Sequence, residues 1–78
     1  MSTFLMPVYD SDVGPYIIDI RAKDGNEAVK SFIEEIKQVY SIDKDINNLD
    51  ELDQYIINEY TKGILVLGEI YNIEDYKK

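Results

Sequence analysis

Between residues 25 and 40, apolar side chains recur every three or four positions, and the residues between them are polar or charged. Residues spaced in this way lie on one face of an α-helix. They are Ala28, Val29, Phe32, Ile33, Ile36, Val39 and Tyr40. Asp24 and Glu27, at the start of the segment, have the spacing of a capping box. The pattern predicts an amphipathic helix from Gly25 to about Tyr40, which must bury one face against the rest of the chain.

A segment of alternating character precedes this helix. In residues 16–23 every second side chain is apolar, and the intervening ones are mostly charged. Such alternation is typical of a strand with one buried and one solvated face. Residues 3–9 form a second candidate strand, and the turn-forming residues 10–15 separate the two. The two segments are therefore predicted to form a β-hairpin.

A second helix is predicted after a polar connection that spans residues 41–47. Asn48 and Glu51 repeat the capping-box spacing, and Gly63 is a natural residue to follow the end of a helix. The apolar stripe of this helix consists of Leu49, Leu52, Ile56 and Tyr60. We expect the helix to begin at Asn48 and to end at Gly63.

The predicted element order is ββααβ, in one domain that spans residues 1–78. Its last strand, residues 64–71, is apolar at almost every position, and residues 72–78 are expected to be frayed or loosely docked. The fold class is α+β, with a small three-stranded, mostly antiparallel sheet that carries two helices on one face. Pro7 favours an edge position for the first strand, whereas the aliphatic last strand favours neighbours on both sides.

Two helices cover only one face of such a sheet, so the opposite face, here called the far face, stays open. The residues expected on the far face are Asp19, Arg21, Lys23, Leu65, Leu67 and Tyr71. Uncovered apolar residues of this kind mark a partner site or a homodimer contact.

The chain contains no histidine and no cysteine. Without imidazole it has no side chain whose ordinary pKa lies near neutrality and no Ser-His pair, and without thiolates it has no zinc site built on sulfur. Its four glycines stand apart, so there is no glycine-rich phosphate loop. We therefore expect no catalytic residues, no metal and no cofactor. An enzyme built on two carboxylates would need a pocket that a chain of this length seldom provides.

Sixteen acidic residues against eight basic ones give the chain a net charge of −8. Residues 41–60 carry six carboxylates and one lysine, a net −5. The candidate partner-binding residues in this stretch are Asp43, Asp45, Asp50, Glu51, Asp53, Tyr55 and Glu59. Tyr55 is included because an aromatic side chain beside charges is typical of an interface anchor, although it also fits a residue that closes the edge of the core.

Three interpretations of this acidic stretch are open. Carboxylates in the first turn of a helix, where Asp50, Glu51 and Asp53 are predicted to lie, interact favourably with the helix dipole. The alternating oxygen ligands that start at Asp43 are typical of a calcium loop, but the later positions lack the required glycine and glutamate. A carboxylate array can also occupy the basic groove of a protein that binds nucleic acid.

We interpret the chain as a small acidic protein-binding module, expected to be an inhibitor that blocks the basic groove of a nucleic-acid-handling enzyme. Its charge repels nucleic acid and anionic membranes, so direct binding to either is not expected. The N-terminus lacks the features of a signal peptide, which predicts a cytoplasmic location, in a host cell if a phage encodes the protein.

In size and charge the chain is similar to small acidic anti-CRISPR and anti-restriction inhibitors of phages and mobile elements, although no motif of those families is present. The alternative is a homo-oligomeric structural or accessory subunit, for instance a homodimer, that pairs through the apolar side of its sheet.

Overall fold

The computed structural model describes residues 1–76, which form two helices packed on one side of an antiparallel sheet. In chain order the elements are β1 (Ser2–Asp10), β2 (Gly14–Ala22), α1 (Gly25–Val39), α2 (Leu49–Glu59), β3 (Leu65–Leu67), β4 (Tyr71–Asn72) and a terminal 3-10 helix (Ile73–Tyr76). The predicted α+β class is confirmed, as is the order of hairpin, two helices and returning strand. The sheet has three main strands, to which β4 adds a short fourth.

β1 lies in the middle of the sheet, between β2 on one side and β3 and β4 on the other. The expectation that Pro7 places this strand at an edge is therefore wrong. In a strand, the N and the C=O of one residue point to the same neighbour, and the Pro7 carbonyl accepts a 2.7 Å hydrogen bond from the Gly68 N–H. The Pro7 nitrogen, which carries no hydrogen, therefore faces the gap between the end of β3 and the start of β4. A proline in the central strand disrupts few strand hydrogen bonds at this position.

β3 and β4 are two parts of one strand that a bulge interrupts. Val8 pairs with Leu67, and Leu5 pairs with Tyr71, so the returning strand has one residue more than β1 across this interval. An extra residue of this kind is a β-bulge, which bends the strand and ends regular pairing. The predicted strand 64–71 is therefore divided into two short segments.

β3 is an edge strand, and β1 is its only strand neighbour among the described residues. This corrects the expectation of neighbours on both sides. Leu65 is buried in the core, whereas Ile64 and Val66 are 61% and 52% exposed. The segment that reads as a central strand in the sequence thus presents apolar side chains at an open edge of the sheet.

Both helices begin at the predicted capping boxes. The Asp24 carboxylate accepts a 2.9 Å hydrogen bond from the Glu27 N–H, and the Asn48 side-chain oxygen accepts one of 2.8 Å from the Glu51 N–H. These bonds satisfy N–H groups that have no partner within the helix. The starting points of α1 and α2 are therefore set by local sequence.

The end of α1 is a Schellman-type cap around Ser41. The Ile42 N–H donates a 2.8 Å hydrogen bond to the Lys37 carbonyl, and Ser41 has a left-handed φ of 55°. Ile42 and Ile46 then turn into the core, where both are buried. The connection that was predicted to be polar is therefore anchored at two points.

α2 ends at Glu59, about one turn before the predicted end at Gly63. Tyr60 has an extended backbone, and its ring packs edge-on against Tyr40 with the centroids 5.7 Å apart. An acidic residue in the last helical position is also unfavourable for the helix dipole. Gly63 instead forms the turn into β3, with a φ of 144° that glycine adopts readily.

The core lies between the sheet and the two helices. Its largest fully buried side chains are Phe32, Met6, Ile36, Leu52 and Val8. Residues 72–76, which were expected to be loosely docked, complete β4 and form the terminal 3-10 helix, which contacts β1. The remainder of that expectation, residues 77 and 78, lies outside the described residues.

Candidate functional site

The acidic residues predicted to bind a partner differ in their structural roles. Glu51 is engaged at the start of α2, where its carboxylate accepts hydrogen bonds of 3.2 Å from the Asn47 backbone N–H and from the Asn48 side-chain amide. Together with the bond from its own N–H to Asn48, this forms a variant of the capping box, in which the reciprocal backbone bond comes from Asn47, one residue before the cap. The helix-start interpretation therefore accounts for Glu51.

Asp53 has no comparable role. It was predicted to lie in the first turn of α2, but the acidic residues of that turn are Asp50 and Glu51, and Asp53 follows them. Desolvation, and secondly the negative charge of Asp50, raises the pKa of the Asp53 carboxyl above its ordinary value. The ionised form of Asp53 is thus held unfavourably in the folded protein, and a favourable interaction with the helix start does not explain its presence.

A groove of about 590 Å³ lies between α2 and the open edge of β3, and we call it the α2–β3 groove. The helix contributes Asp50, Asp53, Gln54, Ile56 and Ile57, and the strand contributes Leu65, Val66 and Leu67. Ile57 is 72% exposed. The groove therefore combines apolar surface with two carboxylates.

The carboxylates of Asp50 and Asp53 make no hydrogen bond or ion pair with another residue of the described chain. A carboxylate that stabilises the fold usually does so by accepting hydrogen bonds or by forming an ion pair. The two side chains are therefore not engaged within residues 1–76 and can bind other groups.

The rest of the predicted set lies toward the connection between the helices. Tyr55 is half-buried against the core, and the Lys44 ammonium lies 5.9 Å from the centroid of its ring. Lys44, Tyr55 and Glu59 are among the residues that line a second hollow, of about 490 Å³. Asp50 and Glu51 also line this hollow, so Asp50 borders both concavities. Asp43 and Asp45 flank Lys44 in the chain and line neither.

The far face of the sheet carries an apolar hollow of about 470 Å³. The strand register places five apolar residues there, four of them exposed: Pro7, Tyr9, Pro15, Ile17 and Val66. Val66 also lines the α2–β3 groove, so apolar surface continues around the edge of the sheet. The far face is therefore partly uncovered, as the sequence predicts.

The residues on the far face differ in part from those predicted. Tyr71 lies there opposite Leu5, and the register puts Asp19 and Arg21 on the same side. The expectation for Leu65 and Leu67 is wrong, because both pack against the core on the helix side. Successive residues of a strand face opposite sides of the sheet, so a register that differs by one residue from the expected one moves these side chains to the other face.

A buried polar cluster joins the hairpin turn to the end of α1. The Tyr40 hydroxyl donates a 2.8 Å hydrogen bond to Asp10 and shares another of 2.8 Å with the Tyr16 hydroxyl. The Asp12 N–H donates to the second Asp10 oxygen, also at 2.8 Å. The Asp12 N–H and, secondly, the Tyr40 hydroxyl hold the pKa of Asp10 below its ordinary value, and burial raises the pKa of Tyr40.

Sequence reasoning treated Asp10 only as a turn residue, yet it is 4% exposed. The alternation of side chains along β1 identifies it as an interior residue. Met6 and Val8 face the core, and Asp10, two residues after Val8, faces the same side. Because Asp10 is buried and its two carboxylate oxygens accept hydrogen bonds from Asp12 and Tyr40, we assign the cluster a structural role.

No group of three or more acidic side chains among the described residues is arranged to hold a metal ion. Among residues 1–76, no helix is long and apolar enough to cross a bilayer. Comparison with protein-family models, curated proteins and solved structures finds no match for the chain. A functional assignment therefore depends on the geometry of the chain itself.

Proposed function

We propose that this protein is a binding module that uses the α2–β3 groove to engage a basic protein partner. One observation carries the proposal: Asp50 and Asp53, which have no hydrogen-bond or ionic partner in the described chain, line the same groove as the exposed side chain of Ile57. Apolar contact supplies free energy of association, and charge complementarity speeds the encounter and selects the partner. The combination supports a protein-binding role over a merely solvated acidic surface.

The partner class follows from the charge. A net charge of −8 favours association with proteins that concentrate lysine and arginine. Nucleic-acid-handling enzymes do so in the grooves that bind phosphates, and such grooves attract any matching array of negative charge. The expected role is inhibition: the acidic chain binds at a groove of this kind and blocks it against nucleic acid, as phage and mobile-element proteins do against host defence.

The test is capture of proteins from cell extract on the immobilised chain at about 50 mM and about 500 mM salt, with duplex DNA as competitor. Captured proteins are identified, purified and measured again one at a time. We expect a basic partner whose affinity falls as salt rises and which DNA displaces. Binding that is indifferent to DNA and to the double substitution Asp50→Asn, Asp53→Asn would overturn the proposal.

A second candidate function, a homo-oligomeric subunit, is favoured by the exposed apolar residues of the far face, Tyr9, Ile17 and Val66. Self-association of a protomer with a charge of −8 strengthens as salt screens the repulsion, whereas binding to a basic partner weakens. Sedimentation of the purified protein at the same two salt concentrations distinguishes the candidates. A dimer that forms at high salt and is lost in Ile17→Ser would support this alternative.

A further inference from the structure

The two edges of the sheet differ in how they are protected against pairing with another strand. β2, at one edge, carries Pro15, Asp19 and Arg21, and charges and proline are common means of blocking an edge. β3, at the other edge, consists of Leu65, Val66 and Leu67 and carries neither. An uncharged apolar edge strand is a template for a further strand.

The hydrogen-bond pattern shows which backbone groups of β3 have no partner within the part of the chain that the structure describes. The Ser11 N–H donates to the Ile64 carbonyl at 2.9 Å, and the Gly68 N–H donates to the Pro7 carbonyl at 2.7 Å. In an antiparallel pair the bonded residues alternate, so the backbone of Val66 also faces β1 and that of Leu67 faces outward. The backbone of Leu65 faces outward as well, but this residue is buried. The backbone of Leu67 is therefore the more accessible of the two.

The α2–β3 groove lies directly beside these open groups. A neighbouring strand lies about 4.8 Å away in the hydrogen-bonding direction, and its side chains alternate between the two faces of the sheet. Side chains on one face of an added strand would reach Ile57 and the carboxylates of Asp50 and Asp53, and those on the other would reach Val66.

We propose that the basic partner contributes an extended segment that adds as a strand to the open edge of β3, with apolar side chains against Ile57 and Val66 and lysine or arginine side chains beside Asp50 and Asp53. This inference rests on the proposed function and specifies how the partner binds. The bulge after β3 ends regular pairing, so the added segment spans about three to five residues.

Charge selects this occupant over a second copy of the chain. Pairing of β3 with the same strand of another protomer would bring two acidic grooves together, each with the carboxylates of Asp50 and Asp53, which have no partner in residues 1–76. Like charges in such proximity oppose association, whereas a lysine-containing segment relieves the same repulsion.

The test uses two synthetic peptides of alternating lysine and valine, about seven residues long so that they span the edge. In the second peptide every backbone N–H is methylated, which keeps the side chains and the charge but removes the donors. Affinities come from nuclear magnetic resonance titration of the isotopically labelled protein, and amide hydrogen exchange is followed residue by residue.

We expect the methylated peptide to bind at least about tenfold more weakly, because backbone hydrogen bonds supply affinity in strand addition. The unmethylated peptide should slow exchange of the Leu67 N–H by about tenfold or more and leave the Val66 N–H, which already faces β1, nearly unchanged. Ile57→Ser should weaken binding several-fold, whereas Val39→Ser, at another exposed apolar site, the last residue of α1, should not.

The outcomes separate this inference from the proposed function. Equal binding of the two peptides, no binding of either, or an unchanged Leu67 exchange rate would overturn strand addition. If both peptides bind equally, but more weakly to the double variant Asp50→Asn, Asp53→Asn than to the wild type, the acidic binding role stands without strand addition. If only the unmethylated peptide binds and this double substitution has no effect, strand addition stands and the role of the carboxylates is refuted.

Discussion

The backbone N–H of Gly68 donates a 2.7 Å hydrogen bond to the carbonyl of Pro7, at the point where β3 ends and the bulge begins. A Cβ atom on Gly68 would lie 3.1 Å from that carbonyl oxygen and 3.2 Å from both the Cβ and the Cδ of Pro7. Backbone and ring atoms of a central strand have little room to move. This contact therefore fixes where the open edge of the sheet stops.

We expect Gly68→Ala to lower the free energy of unfolding by about 1–3 kcal/mol, because the added methyl group crowds a close backbone contact. Urea denaturation monitored by circular dichroism measures the change. Gly25→Ala is the matched control, since no atom lies within 4 Å of its Cβ position. Equal stability of Gly68→Ala and the wild type would contradict the described bulge.

Ser41 adopts a left-handed backbone conformation at the end of α1, where glycine is the most favourable residue. We expect Ser41→Gly to raise the free energy of unfolding by roughly 0.5–1 kcal/mol, since glycine avoids the steric penalty of this conformation. Ser31→Gly, within α1, should have the opposite sign because glycine weakens a helix interior. The same denaturation measurement compares them, and a loss of stability in Ser41→Gly would refute the cap.

Asp10 links stability to pH. Its pKa in the folded protein lies below the ordinary value, so the ionised carboxylate stabilises the fold at pH values above about 4, the range in which the unfolded chain is also ionised. This contribution is lost as the pH falls through the lowered pKa. Asp10→Asn should therefore be less stable than the wild type at pH 7, and the difference should shrink toward pH 2.

Thermal unfolding of both proteins between about pH 7 and pH 2 measures this difference. Asp19→Asn, at an exposed position of β2, serves as the control and should retain the pH dependence of the wild type. A difference between Asp10→Asn and the wild type that stays constant over the whole range would be inconsistent with the cluster.

Asp53 should behave in the opposite way. Its pKa is raised above that of the unfolded chain, so the ionised carboxyl opposes folding at neutral pH, and this effect disappears as the pH falls through the raised value. We expect Asp53→Asn to leave stability unchanged or to raise it by about a few tenths of a kcal/mol, a small amount because the side chain is exposed to solvent. Denaturation at pH 7 measures it.

Glu51→Ala is the contrasting variant for this prediction. Because Glu51 completes the capping box of α2, its loss should lower stability by about 0.5–1 kcal/mol. If Asp53→Asn destabilises the protein as much as Glu51→Ala does, Asp53 has a structural role that the described contacts do not include.

The elements that the sequence predicts well are those set by neighbouring residues. The capping boxes at Asp24 and Asn48 and the apolar periodicity of α1 identify where both helices begin. The end of α2 could not be found in the same way, because it depends on packing of Tyr60 against Tyr40, which lies twenty positions earlier. Long-range contacts of this kind leave no periodic pattern.

The candidate site was predictable in its charge but not in its shape. The acidic composition of residues 41–60 identifies Asp50 and Asp53 as candidates. The groove, however, exists because β3 lies at an edge, and the apolar character of its residues predicts a central strand instead. Strand order depends on pairing between distant segments, and here Pro7 was misleading because a bulge accommodates it.

The most direct measurement of the proposed function is the affinity of paired charge variants for the basic partner obtained by capture, at physiological salt. One double variant, Asp50→Asn with Asp53→Asn, removes two charges from the α2–β3 groove. The other, Glu34→Gln with Glu35→Gln, removes two charges from α1. We expect the first pair to weaken binding by about threefold to thirtyfold and the second by less than about twofold. Equal loss in both pairs, or no loss in the first, would contradict a binding site in the α2–β3 groove.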